Sequence, residues 1–334
     1  MGSSVGLRQC CRGPAHFLEP PLTVSRQGLT LSKLDDFGVG KGGGMKPSWN
    51  ARYGPWALVT GASEGIGREI AKDLAQRGLN LILVARRRNL LEALADELQT
   101  LHNTQCQVVD ADLGDDKGCA AVVQACSRVE LGLFVAAAGF GTSGDLVNTE
   151  LAAELDMLAV NCGAALTLTH YCARRFVEQR RGGIVLLSSI VAFQGVPRAA
   201  HYAATKAYVQ SLAEGLRVEL RPHNVDVLAS APGPVDSGFA KRADMRMGAT
   251  VTPEQVARGT LQGLGRRLTV RPGLLSKVLE FGLSMLPRRW RVSVMTAVMG
   301  GMTRHQRDLQ NAESNPRPIQ IVVPRDEIEN GGAI

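Results

Sequence analysis

From Trp56 onward, short apolar runs alternate with helical segments, and this rhythm constrains the fold more than any other feature of the chain. Trp56-Ala57-Leu58-Val59-Thr60 reads as a strand. A glycine-rich turn follows, then an apolar-periodic helix over about 68–77 that Gly78 ends. Further strands are expected at 79–85, 105–109, 131–136, 184–187 and 225–229, with helices at 89–101, 119–127, 151–175 and 202–220. The strands are apolar on both faces, so helices must cover the sheet on both sides. The expected class is α/β: a doubly wound parallel sheet with a ligand crevice at the carboxyl ends of its strands.

The flanking regions differ. Residues 1–50 carry Pro14, Pro20, Pro21 and the run Gly42-Gly43-Gly44 without sustained periodicity, as a disordered leader would. They lack the apolar core of a secretory signal. Arg8, Arg12 and Arg26 with few acids suit a transit peptide, but the prolines break the amphipathic helix it needs. Met45 offers a second start. Residues 51–250 form the expected α/β domain, 251–302 a helical extension and 303–334 a polar, flexible tail. In the extension, Thr252-Pro253-Glu254 reads as a helix start with Thr252 as N-cap. The apolar stretch 274–302 is interrupted by Pro287-Arg288-Arg289-Trp290-Arg291, and each half is too short to span a bilayer. Core-packing helices and an amphipathic element making peripheral membrane contact are both open readings.

The net charge is +7, and between Lys241 and Arg291 eleven Lys/Arg face three Asp/Glu. Such a stretch suits an acidic substrate or an anionic membrane surface. Nucleic acid is not an expected partner, because no binding motif is present and aromatics make up 4%. The seven cysteines are scattered and form no C-x-x-C pair. That pattern argues against a disulfide framework or a metal site and for a reducing, cytoplasmic setting.

The turn after the first strand is Thr60-Gly61-Ala62-Ser63-Glu64-Gly65-Ile66-Gly67. Its glycines let backbone approach a pyrophosphate, and the next helix aims its N-terminal N–H groups at the phosphates. The second strand ends in Arg86-Arg87-Arg88, where an NAD site would favour an acid. Arginine suits a 2′-phosphate instead, so NADP(H) is the expected cofactor, with Arg86 as its reader.

Tyr202 and Lys206 lie one helical turn apart, and Ser189 precedes Tyr202 by thirteen positions, just past the fifth strand. Reducing a ketone needs a proton for the developing alkoxide. Tyr202 can supply it, with an ammonium and a cationic nicotinamide expected to draw its pKa down from about 10. Ser189 can donate to the carbonyl oxygen.

The Thr-Gly-x-x-x-Gly-x-Gly turn, the Tyr-x-x-x-Lys pair and Ser189 together resemble the short-chain dehydrogenase/reductase family over about residues 55–240. The resemblance implies a Rossmann domain, hydride transfer between nicotinamide and a carbonyl or secondary alcohol, and catalytic roles for Asn161, Ser189, Tyr202 and Lys206. By the same resemblance Asn161 would hold a proton-relay water. Gly61, Ser63, Glu64, Gly65, Ile66 and Gly67 would cradle the cofactor, and Asp112 and Leu113 its adenine ring. Asp112 could also cap the next helix. Ala138, Gly139, Pro232, Gly233 and Val235 would surround the rest, with Tyr202 and Lys206. Ala136-Ala137-Ala138-Gly139 departs from the usual Asn-Asn-Ala-Gly. Ser237 replaces the usual Thr but keeps the hydroxyl.

Ser188 reads as strand packing, His201 as a structural or rim residue, and Cys162 and Cys172 as buried small apolar groups. The segment 239–250 takes the place of the family's substrate lid, with Lys241, Arg242 and Arg246 positioned to meet an acidic substrate group. The extension should lengthen the cleft. Together these features resemble reductases of 3-oxoacyl chains, steroids and retinoids, acting on hydrophobic, lipid-like carbonyls or alcohols. A homo-oligomer is the implied assembly. The alternative is a non-catalytic NADP(H)-binding regulator.

Overall fold

The computed structural model describes residues 49–306. The expectations for 1–48 and 307–334 lie outside the described residues. Seven described strands form one parallel sheet: β1 (Trp56–Thr60), β2 (Asn80–Ala85), β3 (Cys106–Asp110), β4 (Leu131–Ala136), β5 (Gly182–Leu187), β6 (Val225–Ser230) and β7 (Thr269–Val270). Their order is β3-β2-β1-β4-β5-β6-β7.

Register explains why the strands read as unbroken apolar runs. Ile82, Leu58, Phe134, Ile184 and Val227 stand in one row across five strands. They are fully buried on one face, under helices α4 (Asp116–Ser127), α6 (Ala165–Gln179) and α7 (Ala200–Leu220). The next row, Leu83, Val59, Val135, Val185 and Leu228, faces the other way. It packs under α2 (Gly65–Gln76), α3 (Arg88–His102) and α9 (Pro253–Gly263). Each such side chain contributes roughly 1.5–3 kcal/mol of transfer free energy.

All six expected strands are present. β7 was not expected: it has two residues, too few for any periodicity, and pairs with β6 through Ala229 and Thr269. The expected helix 151–175 runs as α5 (Leu151–Leu158), a π-helical stretch Ala159–Ala164, and α6. Thr252 caps α9, accepting from the Gln255 N–H at 3.4 Å. The expected cap role of Asp112 is not found. Asp115 caps α4 by accepting from Lys117 N at 3.1 Å, while Asp112 Oδ1 accepts from Gly114 N at 2.9 Å in the loop before it.

At the edges, α1 (Trp49–Tyr53) draws the last two residues of the expected leader into the fold, with Trp49 packed on the core. Thr303 is buried and Gln306 Nε2 donates to Ser143 Oγ at 2.8 Å, so the first residues of the expected tail are packed too. The lid begins with α8 (Phe239–Arg242), and the extension forms α10 (Leu274–Ser284) and α11 (Arg288–Met302), parted at Pro287.

Candidate active site

The strand order reverses between β1 and β4, and a cavity of about 540 Å³ opens at their carboxyl ends. Its floor is the glycine turn. Gly61 has φ +70°, and a Cβ there would sit 2.8 Å from the Ala137 backbone. A Cβ on Gly67 would lie 2.3 Å from the Gly61 carbonyl oxygen. Only glycine permits this packing of turn against sheet and helix. Glu64, at the N-cap of α2, makes no side-chain cap, so the first N–H groups of that helix keep their bonding capacity. An open helix N-terminus behind a glycine cradle fits a pyrophosphate.

The three arginines after β2 diverge. Arg88 turns to Asp110 at 3.0 Å and Glu92 at 3.1 Å and does not line the cavity. Arg87 lines it, donates to Ser63 Oγ at 3.0 Å and pairs with Glu64 at 2.9 Å. Arg86 lines it too, with Asp112 Oδ2 at 3.9 Å, beyond hydrogen-bond length. Arg86 therefore keeps donors for a 2′-phosphate, and the residues present fit NADP. Arg87, not singled out from the sequence, braces the turn. Asp112 and Leu113 form the adjoining wall.

Ala137, Ala138 and Gly139 extend β4 into the cavity, and Ala137 N and Ala138 N both donate to Thr60 Oγ1 at 3.2 Å. Pro232, Gly233 and Val235 line the same space. Ser276 of α10, which sequence reasoning missed, accepts from Gly233 N at 2.8 Å and ties that loop to the extension. Its partner lies 43 positions away, so no local pattern marks it.

Ser189, Tyr202 and Lys206 converge on the cavity. The Ser189 hydroxyl lies close enough to the Tyr202 phenol to lower its pKa, and it accepts from Val191 N at 3.4 Å. Lys206 Nζ lies 5.8 Å from the centre of the Tyr202 ring and donates to the Leu187 carbonyl at 2.9 Å. Burial pulls the Lys206 pKa down to about 8. Burial also pushes the Tyr202 phenol well above its ordinary value, and the nearby Ser189 hydroxyl offsets this only in part. The protein alone therefore does not draw the phenol down as expected, because desolvation outweighs the effect of Ser189 and the ammonium is held on a carbonyl.

Asn161 sits behind this group, in the π-helical stretch, and does not line the cavity. Its Oδ1 accepts from Phe140 N at 3.1 Å. Its Nδ2 donates to Phe140 O at 2.9 Å and to Thr205 Oγ1 at 3.0 Å. The side chain thus pins the loop after β4 to α7. Ser188 Oγ donates to Lys206 O at 3.1 Å, a firmer role than strand packing. His201 meets Glu154 at 2.7 Å, away from the cavity, and Cys162 and Cys172 are buried. Among the described residues no cluster of His, Cys, Asp and Glu could hold a metal.

Beyond Tyr202 the cavity turns apolar. The Phe239 ring lies 5.2 Å from the Tyr202 ring, and Met245, Leu283, Met295 and Met299 line the far wall. The extension thus lengthens the cleft.

A family model described as short chain dehydrogenase matches residues 55–247. The chain is 30% identical over 234 residues to a 7beta-hydroxysteroid dehydrogenase of Clostridium sardiniense, covering 69% of this chain and 90% of that one. It is 30% identical over 262 residues to a very-long-chain 3-oxoacyl-CoA reductase-like protein of Arabidopsis thaliana, covering 75% and 84%. Among solved structures it resembles a short-chain dehydrogenase from Sphingobium yanoikuyae in complex with NADPH, with TM-score 0.64, 28% identity and coverage of 80% and 98%.

Proposed function

The chain belongs to the short-chain dehydrogenase family, and from that premise we propose that it is an NADP(H)-dependent oxidoreductase acting on a bulky, hydrophobic carbonyl or secondary alcohol of lipid type. The observation that carries the reading is the convergence of Ser189, Tyr202 and Lys206 on the cavity that also holds the glycine cradle, with Lys206 Nζ 5.8 Å from the centre of the Tyr202 ring. When bound, NADPH supplies the hydride. Ser189 donates to the substrate oxygen and stabilises charge as it develops. Tyr202 holds, on its phenol, the proton that the new alkoxide takes. Lys206 keeps positive charge beside that ring. Asn161 acts as a positioning residue through Phe140 and Thr205. The methionine-rich wall suits large apolar substrates of variable shape. The regulator alternative drew on Ala136 and Ala137; there the Thr60 hydroxyl accepts from Ala137 N and Ala138 N, which supports an ordered cofactor loop without the asparagines.

Tyr202→Phe decides between them. The variant should bind NADPH as wild type does, followed by cofactor fluorescence. It should lose turnover at least a thousandfold on a panel of hydroxysteroids and 3-oxoacyl thioesters. Undiminished turnover would overturn the reading, and a wild type that binds NADPH but turns over none of the panel, with its biological effect kept in the variant, would favour the regulator.

Two exposed faces extend the proposal. Leu151, Leu155, Leu158, Leu166 and Tyr208 are exposed on α5–α7, and this apolar face suits self-association. Leu274, Val278 and Phe281 on α10, with Met285 at its C-cap, form a stripe at spacings of four, three and four, each at least 60% exposed. Lys277 lies beside it, and Trp290 follows among Arg288, Arg289 and Arg291. Apolar side chains ringed by cations suit an anionic bilayer surface. Vesicles containing phosphatidylserine should carry the protein in flotation, less so at high salt. Phe281→Glu should abolish it, and flotation unchanged by that substitution would remove the membrane reading.

A further inference from the structure

Arg242 ends the short lid helix α8, three positions after Phe239. The two residues face different parts of the cavity. Phe239 lies against Tyr202 at the reacting end. Arg242 reaches toward the other end, where its guanidinium carbon sits 3.6 Å from the centre of the Phe140 ring. Asp156 Oδ2 is 4.0 Å away, too far for a hydrogen bond. Asp156 itself stands over the loop after β3, since a Cβ on Gly114 would meet its Oδ1 at 2.7 Å. The lid also rests on the glycine turn, because a Cβ on Gly238 would lie 3.0 Å from Glu64 Oε2. Arg242 is therefore carried by the lid but sits above the dinucleotide half of the cleft, and it lines the same cavity as Arg86.

A guanidinium stacked on an aromatic ring keeps its N–H donors at the edge. Here Asp156 stands 4.0 Å from the guanidinium as a long ion pair, and the two other acids nearby are engaged elsewhere. Glu64 is paired with Arg87, and Asp112 accepts from Gly114 N. Burial and the nearby Arg86 charge pull Arg242 below its ordinary pKa, as expected for two cations sharing one space. An anion placed between them removes that repulsion.

We propose that Arg242 closes over a phosphate of the bound dinucleotide, opposite Arg86, so that the substrate lid is latched by the cofactor. The proposal rests on the NADP(H) reading above. It replaces the expectation that Arg242 greets an acidic group on the substrate.

The test is binding without turnover. Dissociation constants for NADPH, adenosine 2′,5′-bisphosphate and ADP are measured by fluorescence and calorimetry on wild type, Arg242→Gln and Arg242→Lys. Arg242→Gln should weaken NADPH about tenfold and Arg242→Lys less, with both differences shrinking at high salt. A loss confined to the bisphosphate assigns the 2′-phosphate, and an equal loss with ADP assigns the pyrophosphate. NADPH binding unchanged in Arg242→Gln, even with a raised substrate KM, would overturn the latch and return Arg242 to the substrate. Wild type that binds no NADPH would overturn the cofactor reading and the latch together.

Discussion

Thr60 and Ala137 are joined across β1 and β4 by a 3.2 Å hydrogen bond from the Ala137 amide to the Thr60 hydroxyl. The Ala138 amide donates to the same oxygen at 3.2 Å. One side chain therefore holds the loop that leads from β4 into the cofactor cleft, at the place where the family usually has asparagine side chains. Thr60→Val keeps the shape, removes the acceptor of the Ala138 amide and leaves the Ala137 amide only the Val135 carbonyl at 3.2 Å. It should cost about 1–3 kcal/mol in urea unfolding and weaken NADPH binding. Thr60→Ser should stay close to wild type. Equal stability of the valine and serine variants would show that the hydroxyl holds nothing.

Asn161 uses its whole amide on Phe140 and Thr205. Truncation leaves a buried N–H without its acceptor, so Asn161→Ala should destabilise by about 2 kcal/mol and lower kcat. A residue that served a proton-relay water alone would lose kcat with stability intact, and that result would contradict the positioning role.

How far the sequence reveals these features depends on distance along the chain. Strands β1 to β6 were readable because burial on both faces makes continuous apolar runs that glycine and charge interrupt. β7 was not, because two residues carry no period. Ser189, Tyr202 and Lys206 were readable because a strand end and a helix turn fix their spacing. The bonds of Asn161 to Phe140 and of Ser276 to Gly233 span 21 and 43 positions and depend on the finished fold. The arginines after β2 were recognised as a group, but their separate directions emerge only from the partners each one finds.

Gly139 packs against the same group from below. A Cβ there would stand 2.9 Å from Asn161 Oδ1 and 3.3 Å from Lys206 Nζ. Gly139→Ala should push both polar atoms from their partners, lowering kcat at least tenfold while the sheet still folds. Circular dichroism and turnover measured together would check this. Full activity in the variant would mean that the loop yields and the lysine stays.

Lys206 gives the fold a pH signature whose sign can be worked out. Burial lowers its pKa from 10.5 to about 8, so below pH 8 it is charged in both folded and unfolded chains and contributes no slope. Between pH 8 and 10.5 the unfolded chain still holds the proton that the folded chain has released. The unfolded state then binds more protons, and stability owed to this group rises with pH. Lys206→Met lacks the titration but keeps Tyr53 and Tyr202, whose opposite contributions cancel in the comparison. Urea unfolding of both proteins from pH 7 to pH 10 should show wild type gaining on the variant by on the order of 2 kcal/mol, nearly all of it above pH 8. A constant gap across that range would mean that Lys206 is not desolvated in the folded protein, and the electrostatic frame of the site would need to be redrawn.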